Sequence, residues 1–220
     1  MDATRADILA VVVNRDSSFD EIDTTLIALL QQTNNLRYAH DMRQVDQALL
    51  QQQTPTVILL TDEAMTRANN TSTWERVLEY VRQGGTVIAM GRFSSFVKPN
   101  DIKPFFQRAG LDWDRGTYHR TTLELNRGAI DEEIARELLP RYSQKALQLK
   151  NVRPEDMWYK STEASVIESA VFAPESAHDP GLTAVALAKV GKGRIGYVGD
   201  VNAEQGSDAV VLAMCKQAMN

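Results

Sequence analysis

The sequence predicts an α/β protein built on a mostly parallel central sheet with helices on both faces. Two observations carry this. Short, continuous, β-branched runs such as Ile8 to Val13 and Val57 to Leu60 suit strands buried on both faces. Between them, apolar residues recur at helical spacing, so strand and helix alternate to about residue 110. That alternation is the pattern of a parallel sheet joined by right-handed crossovers.

The elements follow in order. Ile8 to Val13 is the first strand. Ser18-Phe19-Asp20-Glu21 matches a capping box, and Phe19, Ile22, Leu26 and Leu29/Leu30 continue it as a helix. Leu36 to Met42 is a weaker strand, with Val45, Leu49 and Leu50 marking a short helix behind it. Pro55 to Asp62 is a strong strand. Ser72-Thr73-Trp74-Glu75 is a second capping box, opening a stripe of Trp74, Val77, Leu78 and Val81. Gly84-Gly85 stops that helix as C′ glycines do. Thr86 to Met90 is the fourth strand, and Ile102, Phe105, Phe106 and Ala109 mark the next helix, with Pro104 expected in its first turn. Beyond it the rhythm breaks. Arg120 to Asn126, Ala164 to Ala173 and Leu182 to Lys189 read as strands, and Ile130 to Leu139 as a helix. Lys189 to Arg194 reads as a hairpin turn into Ile195 to Gly199, and Ser207 as the cap of a last helix carrying Val210, Val211, Met214 and Cys215 on one face. The sum is a three-layer, flavodoxin-like arrangement with an added β-rich C-terminal part. No linker or repeat interrupts residues 1–220, so one domain is expected.

Composition narrows the partners. A chain of 220 residues with 43% hydrophobic and 24% charged residues can bury a full core. The net charge of −5, with no run of Lys and Arg, argues against nucleic acid or an anionic membrane. There is one cysteine, Cys215, so no internal disulfide forms. The N-terminus lacks a signal-peptide pattern and no stretch is long and apolar enough to span a bilayer, so a cytoplasmic location is expected.

Motifs for chemistry are few. Cys215 lies on an apolar stripe, where a buried thiol is inert. His40, His119 and His178 have no metal-ligand spacing, so neither a metal nor a cofactor is expected. Ser94 and Ser95 follow the fourth strand without a Gly-x-Ser-x-Gly elbow and serve equally as loop or cap groups. Gly191-Lys192-Gly193 lacks phosphate-loop spacing and precedes a strand, so a hairpin explains it better.

Two segments, Leu78 to Gly91 and Val185 to Asn202, resemble the class I glutamine-amidotransferase-like superfamily. The similarity is to its non-amidotransferase branches, such as trehalose-utilisation-like proteins and the trimerisation domain of certain β-galactosidases. There a helix ending Tyr-Val-x-x-Gly-Gly precedes a strand, here Tyr80-Val81-Arg82-Gln83-Gly84-Gly85, and a late Gly-x-Gly hairpin leads into the final strand. The resemblance implies a nucleophilic Cys at the elbow after the fourth strand. Met90-Gly91-Arg92-Phe93-Ser94 stands there instead. It implies a His after the last strand, where Gly199-Asp200-Val201-Asn202 stands. Thiol catalysis needs a thiolate, a base and an orienter, and none has its place here.

What remains is positional. Ligands of open α/β sheets bind beyond the C-terminal strand ends. Asn14 and Arg15 end the first strand, Asp62 and Glu63 the third, Gly91, Arg92 and Ser94 the fourth, and Asp200 and Asn202 the last. Either these line a crevice for a small polar ligand or they cap helices and satisfy loop backbone. The expected function is a non-catalytic module that binds a protein partner or another copy of itself, in keeping with Trp113, Tyr118, Trp158 and Tyr159 in irregular, exposed-looking segments. The alternative is a small-molecule hydrolase or isomerase using Asp62 and Asp200 as carboxylates and Arg92 as anion clamp.

Overall fold

The computed structural model describes residues 5–14 and 23–219. The expected first capping box, Ser18 to Glu21, and Arg15 lie outside them. Ten strands form one sheet in the order β2-β1-β3-β4-β10-β9-β7-β5-β6-β8. Strands β1 (Asp7–Val11), β2 (Asn35–Ala39), β3 (Val57–Leu60), β4 (Thr86–Ala89) and β10 (Gly193–Val198) pair in parallel. Strands β5 (Asp114–Leu125), β6 (Arg141–Lys150), β7 (Met157–Lys160), β8 (Leu182–Thr183) and β9 (Val185–Val190) supply five antiparallel pairings, including β9 with β10. The expectation of a mostly parallel sheet is therefore corrected. Strand–helix alternation sets parallel pairing only as far as β4, and the long β5–β6 ladder outweighs it beyond.

Helices cover both faces. One face carries α2 (Met42–Leu50), α3 (Thr71–Gln83) and α5 (Pro99–Gln107), whose Val45, Trp74, Val77, Leu78, Val81, Ile102, Phe105 and Phe106 share a core with Ile58, Val87 and Ile195. The other carries α1 (Thr24–Thr33) and α7 (Gln205–Gln217), whose Leu26, Leu30, Val210, Val211 and Met214 pack on Ile8, Leu59, Ile88 and Val198. Trp74 stacks on Phe105 with ring centroids 4.2 Å apart, and its indole donates to the Phe105 carbonyl at 3.1 Å.

The helix ends depart from the expected boundaries more than the helix bodies do. A 3₁₀ turn runs into α3, Asn70 precedes it without a side-chain cap, and the expected Ser72 box is not formed. Its C-terminus ends as expected. Gly84 has φ +130°, and Gly85 and Gly84 donate to Tyr80 and Val81 at 3.1 and 2.9 Å, the two bonds of a Schellman motif. Pro104 sits inside α5, not in its first turn, because the helix begins at Pro99. Ser207 does not cap α7; Glu204 precedes it.

The C-terminal half holds the larger corrections. Residues 130–139 contain one helical turn, α6 (Glu132–Ala135), after the similar single turn α4 (Phe93–Phe96). Residues 164–173 form no strand beyond a bridge from Val166 to Ser176, and Val171 and Phe172 are 83% and 77% exposed. Strands β6 and β7 were not expected at all. Gln144 and Gln148 are buried on β6, and these polar residues at core positions hide its pattern. Trp113, Trp158 and Tyr159 are core residues rather than exposed ones, whereas Tyr118 is 54% exposed. The β9–β10 hairpin forms as expected, with Val190 opposite Gly193 and Gly191 at φ +61°.

Candidate functional site

The C-terminal strand ends do not gather all the rim residues into one place. Beyond β1 and β3, where strand order reverses, Asp62 accepts backbone N–H bonds from Val13 and Asn14 at 2.7 and 2.8 Å and from Ala64 at 2.9 Å. The Asn14 side-chain amide donates to Glu63 at 2.8 Å. Asp62 thus ties two loops together and caps a 3₁₀ turn over Glu63–Thr66. Ser94 donates to the buried Tyr197 hydroxyl at 3.1 Å, inside the core.

The crevice forms instead beyond β4 and β10. A pocket of about 200 Å³ is lined by Met90, Gly91, Arg92, Ser95 and Phe96 after β4 and by Val198, Asp200, Val201 and Ala203 after β10. Helix α1 adds Asp23 and Leu26, and α7 adds Ser207, Asp208 and Val211. Gly91, Arg92 and Asp200 are therefore brought together, with Asn202 behind them donating its backbone N–H to Asp200 at 2.9 Å. Gly91 has φ +60°, a region that glycine enters without a Cβ clash. Ala203 stands at φ +53°, where an L side chain is strained. The Arg92 guanidinium lies 4.5 Å from the centre of the Phe96 ring.

Among the described residues, three carboxyls share this pocket, and each is shifted upward. Asp200 is raised by burial, against the Ser207 hydroxyl and the Asn202 and Glu204 amides that favour its ionised form. Asp208 is pushed up to about 6 by burial and by Asp200. Asp23 is pushed up to about 7 by burial, then by Asp208 and Asp200, with Arg92 opposing. Asp23 occupies the N-cap of α1 yet makes no capping bond, and its Oδ2 is buried without a hydrogen-bond partner. No group of three potential ligands is placed to hold a metal among the described residues.

Asp23 and Asp208 were not anticipated. Their signal was present: Asp23-Leu26-Leu30 and Asp208-Val211-Cys215 each put a carboxylate in register with an apolar stripe. Buried carboxylates are rare enough that such placement marks a site.

No family model and no curated protein sequence matches the chain. Solved structures do. A ThuA-like protein from Bacteroides uniformis ATCC 8492 superposes with a TM-score of 0.62 at 11% identity, over 99% of this chain and 93% of its own. A ThuA-like protein from Parabacteroides merdae ATCC 43184 gives 0.57 at 13% identity, over 98% and 90%. The β-galactosidase of Bacillus circulans sp. alkalophilus gives 0.56 at 14% identity over 96% of this chain, which spans 31% of that enzyme. At these identities the likeness is one of fold, a mixed α/β architecture shared with ThuA-like proteins along nearly their whole length.

Proposed function

We propose that this chain is a non-catalytic, amidotransferase-like module, with a flavodoxin-like parallel half, that acts by binding and self-association in the cytosol. One observation carries the reading. Where the resemblance would put a thiol and an imidazole, the chain has Gly91 and Asp200, and both Asp200 carboxylate oxygens already accept backbone N–H bonds, from Asn202 at 2.9 Å and Glu204 at 2.7 Å. The one cysteine, Cys215, is buried in α7. The fold likeness to ThuA-like proteins and to part of a β-galactosidase is compatible with such a module. Hydrolysis or isomerisation by Asp62 with Asp200 finds no support, because Asp62 is bound into its own loops and does not line the crevice. Exposed Val171, Phe172 and Tyr118 supply apolar surface for a second copy.

Sedimentation velocity over a concentration series tests self-association, with a dimer or larger species expected. A monomer at every concentration would overturn that half of the reading. Turnover of a small polar molecule that is lost in both Asp200→Ala and Arg92→Ala would overturn the non-catalytic half.

A further inference from the structure

The pocket beyond β4 and β10 has a polar group with nothing to bind. Asp23 is 4% exposed, gives up the capping bond its position offers, and leaves Oδ2 without a partner. A buried acceptor left bare costs about 1–3 kcal/mol, more if charged. Asp208 lies on the same wall, and Asp200 adds a third carboxyl whose oxygens are already engaged. Among the described residues that line the pocket, Arg92 is the one cationic side chain. Apart from the hydroxyls of Ser95 and Ser207 the rest of the described lining is apolar, with Leu26, Met90, Val198 and Val211 buried in it. Ala203, strained at φ +53°, holds the loop that closes one side.

This combination selects a ligand class. An anion would meet three carboxyls. A neutral hydroxyl would satisfy Asp23 Oδ2 and leave the repulsion among the carboxyls in place. An ammonium group supplies donors, offsets the negative charge and makes charge-assisted bonds, about twice as strong as neutral ones. The volume, about 200 Å³, is below the roughly 300–1,000 Å³ of drug-sized sites, so the body attached to that cation is short. We infer that this pocket binds a small organic cation, an alkylammonium-type ligand whose charged end meets Asp23 and Asp208 and whose carbon body lies on Leu26, Val198 and Val211. The inference rests on reading the crevice as a place of binding and adds the chemistry of what is bound.

Among the described residues, the charged groups facing Asp23 are Arg92 after β4, Asp200 after β10 and Asp208 on α7. Asp23 ionises through about pH 7, whereas an alkylammonium stays charged well above it, so binding strengthens as pH rises. The test titrates butylammonium, with 1-butanol as neutral isostere, into the intact protein and follows the methyl resonances of Leu26, Val198 and Val211. Saturable shifts are expected with butylammonium, weakening by more than about tenfold between about pH 8 and pH 5.5 as Asp23 takes up its proton. Asp23→Asn, which keeps the shape, should lose most of the affinity and retain only the pH dependence that Asp208 supplies at lower pH, while Leu26→Ala should weaken binding and keep the full pH dependence. Absence of saturable shifts, equal binding of 1-butanol, or an unchanged Asp23→Asn variant would each overturn the inference without touching self-association. Consumption of the amine would overturn the non-catalytic reading as well.

Discussion

At the scale of single residues, Asp23 and Gly91 show how one position answers to its surroundings. Asp23 has an ordinary carboxyl pKa of 3.8 outside the fold and about 7 within it. The folded chain therefore holds a proton that the unfolded chain has released, and stability from this group falls as pH rises from about 4 to 7. Asp23→Asn removes the ionisation. We expect it to stabilise the protein by about 2–4 kcal/mol at about pH 8 and by little at about pH 4, measured by urea denaturation at both. Equal effects at the two pH values would mean that the carboxyl is solvated. Gly91 is the second case. Gly91→Cys forces an L side chain to φ +60° and should fold with a loss of about 1–2 kcal/mol. It should gain no glutaminase activity, since Asp200 rather than an imidazole stands across the crevice; measured glutamine hydrolysis would falsify the empty-triad reading.

At the scale of elements, helix bodies were legible and helix ends were not. The stripe Trp74-Val77-Leu78-Val81 is buried as its spacing requires. Trp74→Ala should cost about 3–5 kcal/mol, because it removes a fully buried ring, its stack on Phe105 and its bond to the Phe105 carbonyl. A loss below about 1 kcal/mol in chemical denaturation would place that ring outside the core. The Ser72 box failed because the chain enters α3 from a 3₁₀ turn, which leaves no extended N-cap residue to reach back. The hairpin was legible for a steric reason. Gly191 takes φ +61°, and a Cβ at Gly193 would lie 2.0 Å from the Gly85 carbonyl oxygen and 2.3 Å from that of Val81. Both glycines serve backbone packing against the end of α3, not phosphate.

At the scale of the whole molecule, β10 is the junction, parallel to β4 on one side and antiparallel to β9 on the other. Cys215 lies beneath it on α7, 1% exposed, its thiol pushed up to about 12 by burial. Its reaction with a thiol reagent should therefore follow opening of the α7 core, and the labelling rate should track global stability across a denaturant series. Fast stoichiometric labelling under native conditions would show α7 detached from the sheet. The local pattern of the chain sufficed for β1 to β4, their intervening helices, the β9–β10 hairpin and α7, because each carries its own periodicity and stop signals. It sufficed also to set Gly91, Arg92 and Asp200 at strand ends. Long-range pairing was needed for the rest. Strand β6 buries Gln144 and Gln148 against neighbours remote in sequence, and the stretch at 164–173, with Val166, Ile167, Val171 and Phe172, finds no ladder partner beyond one bridge. The crevice itself depends on α1 and α7 packing on the same face, which brings Asp23 and Asp208, far apart along the chain, into one field where Asp208 raises the cost of ionising Asp23.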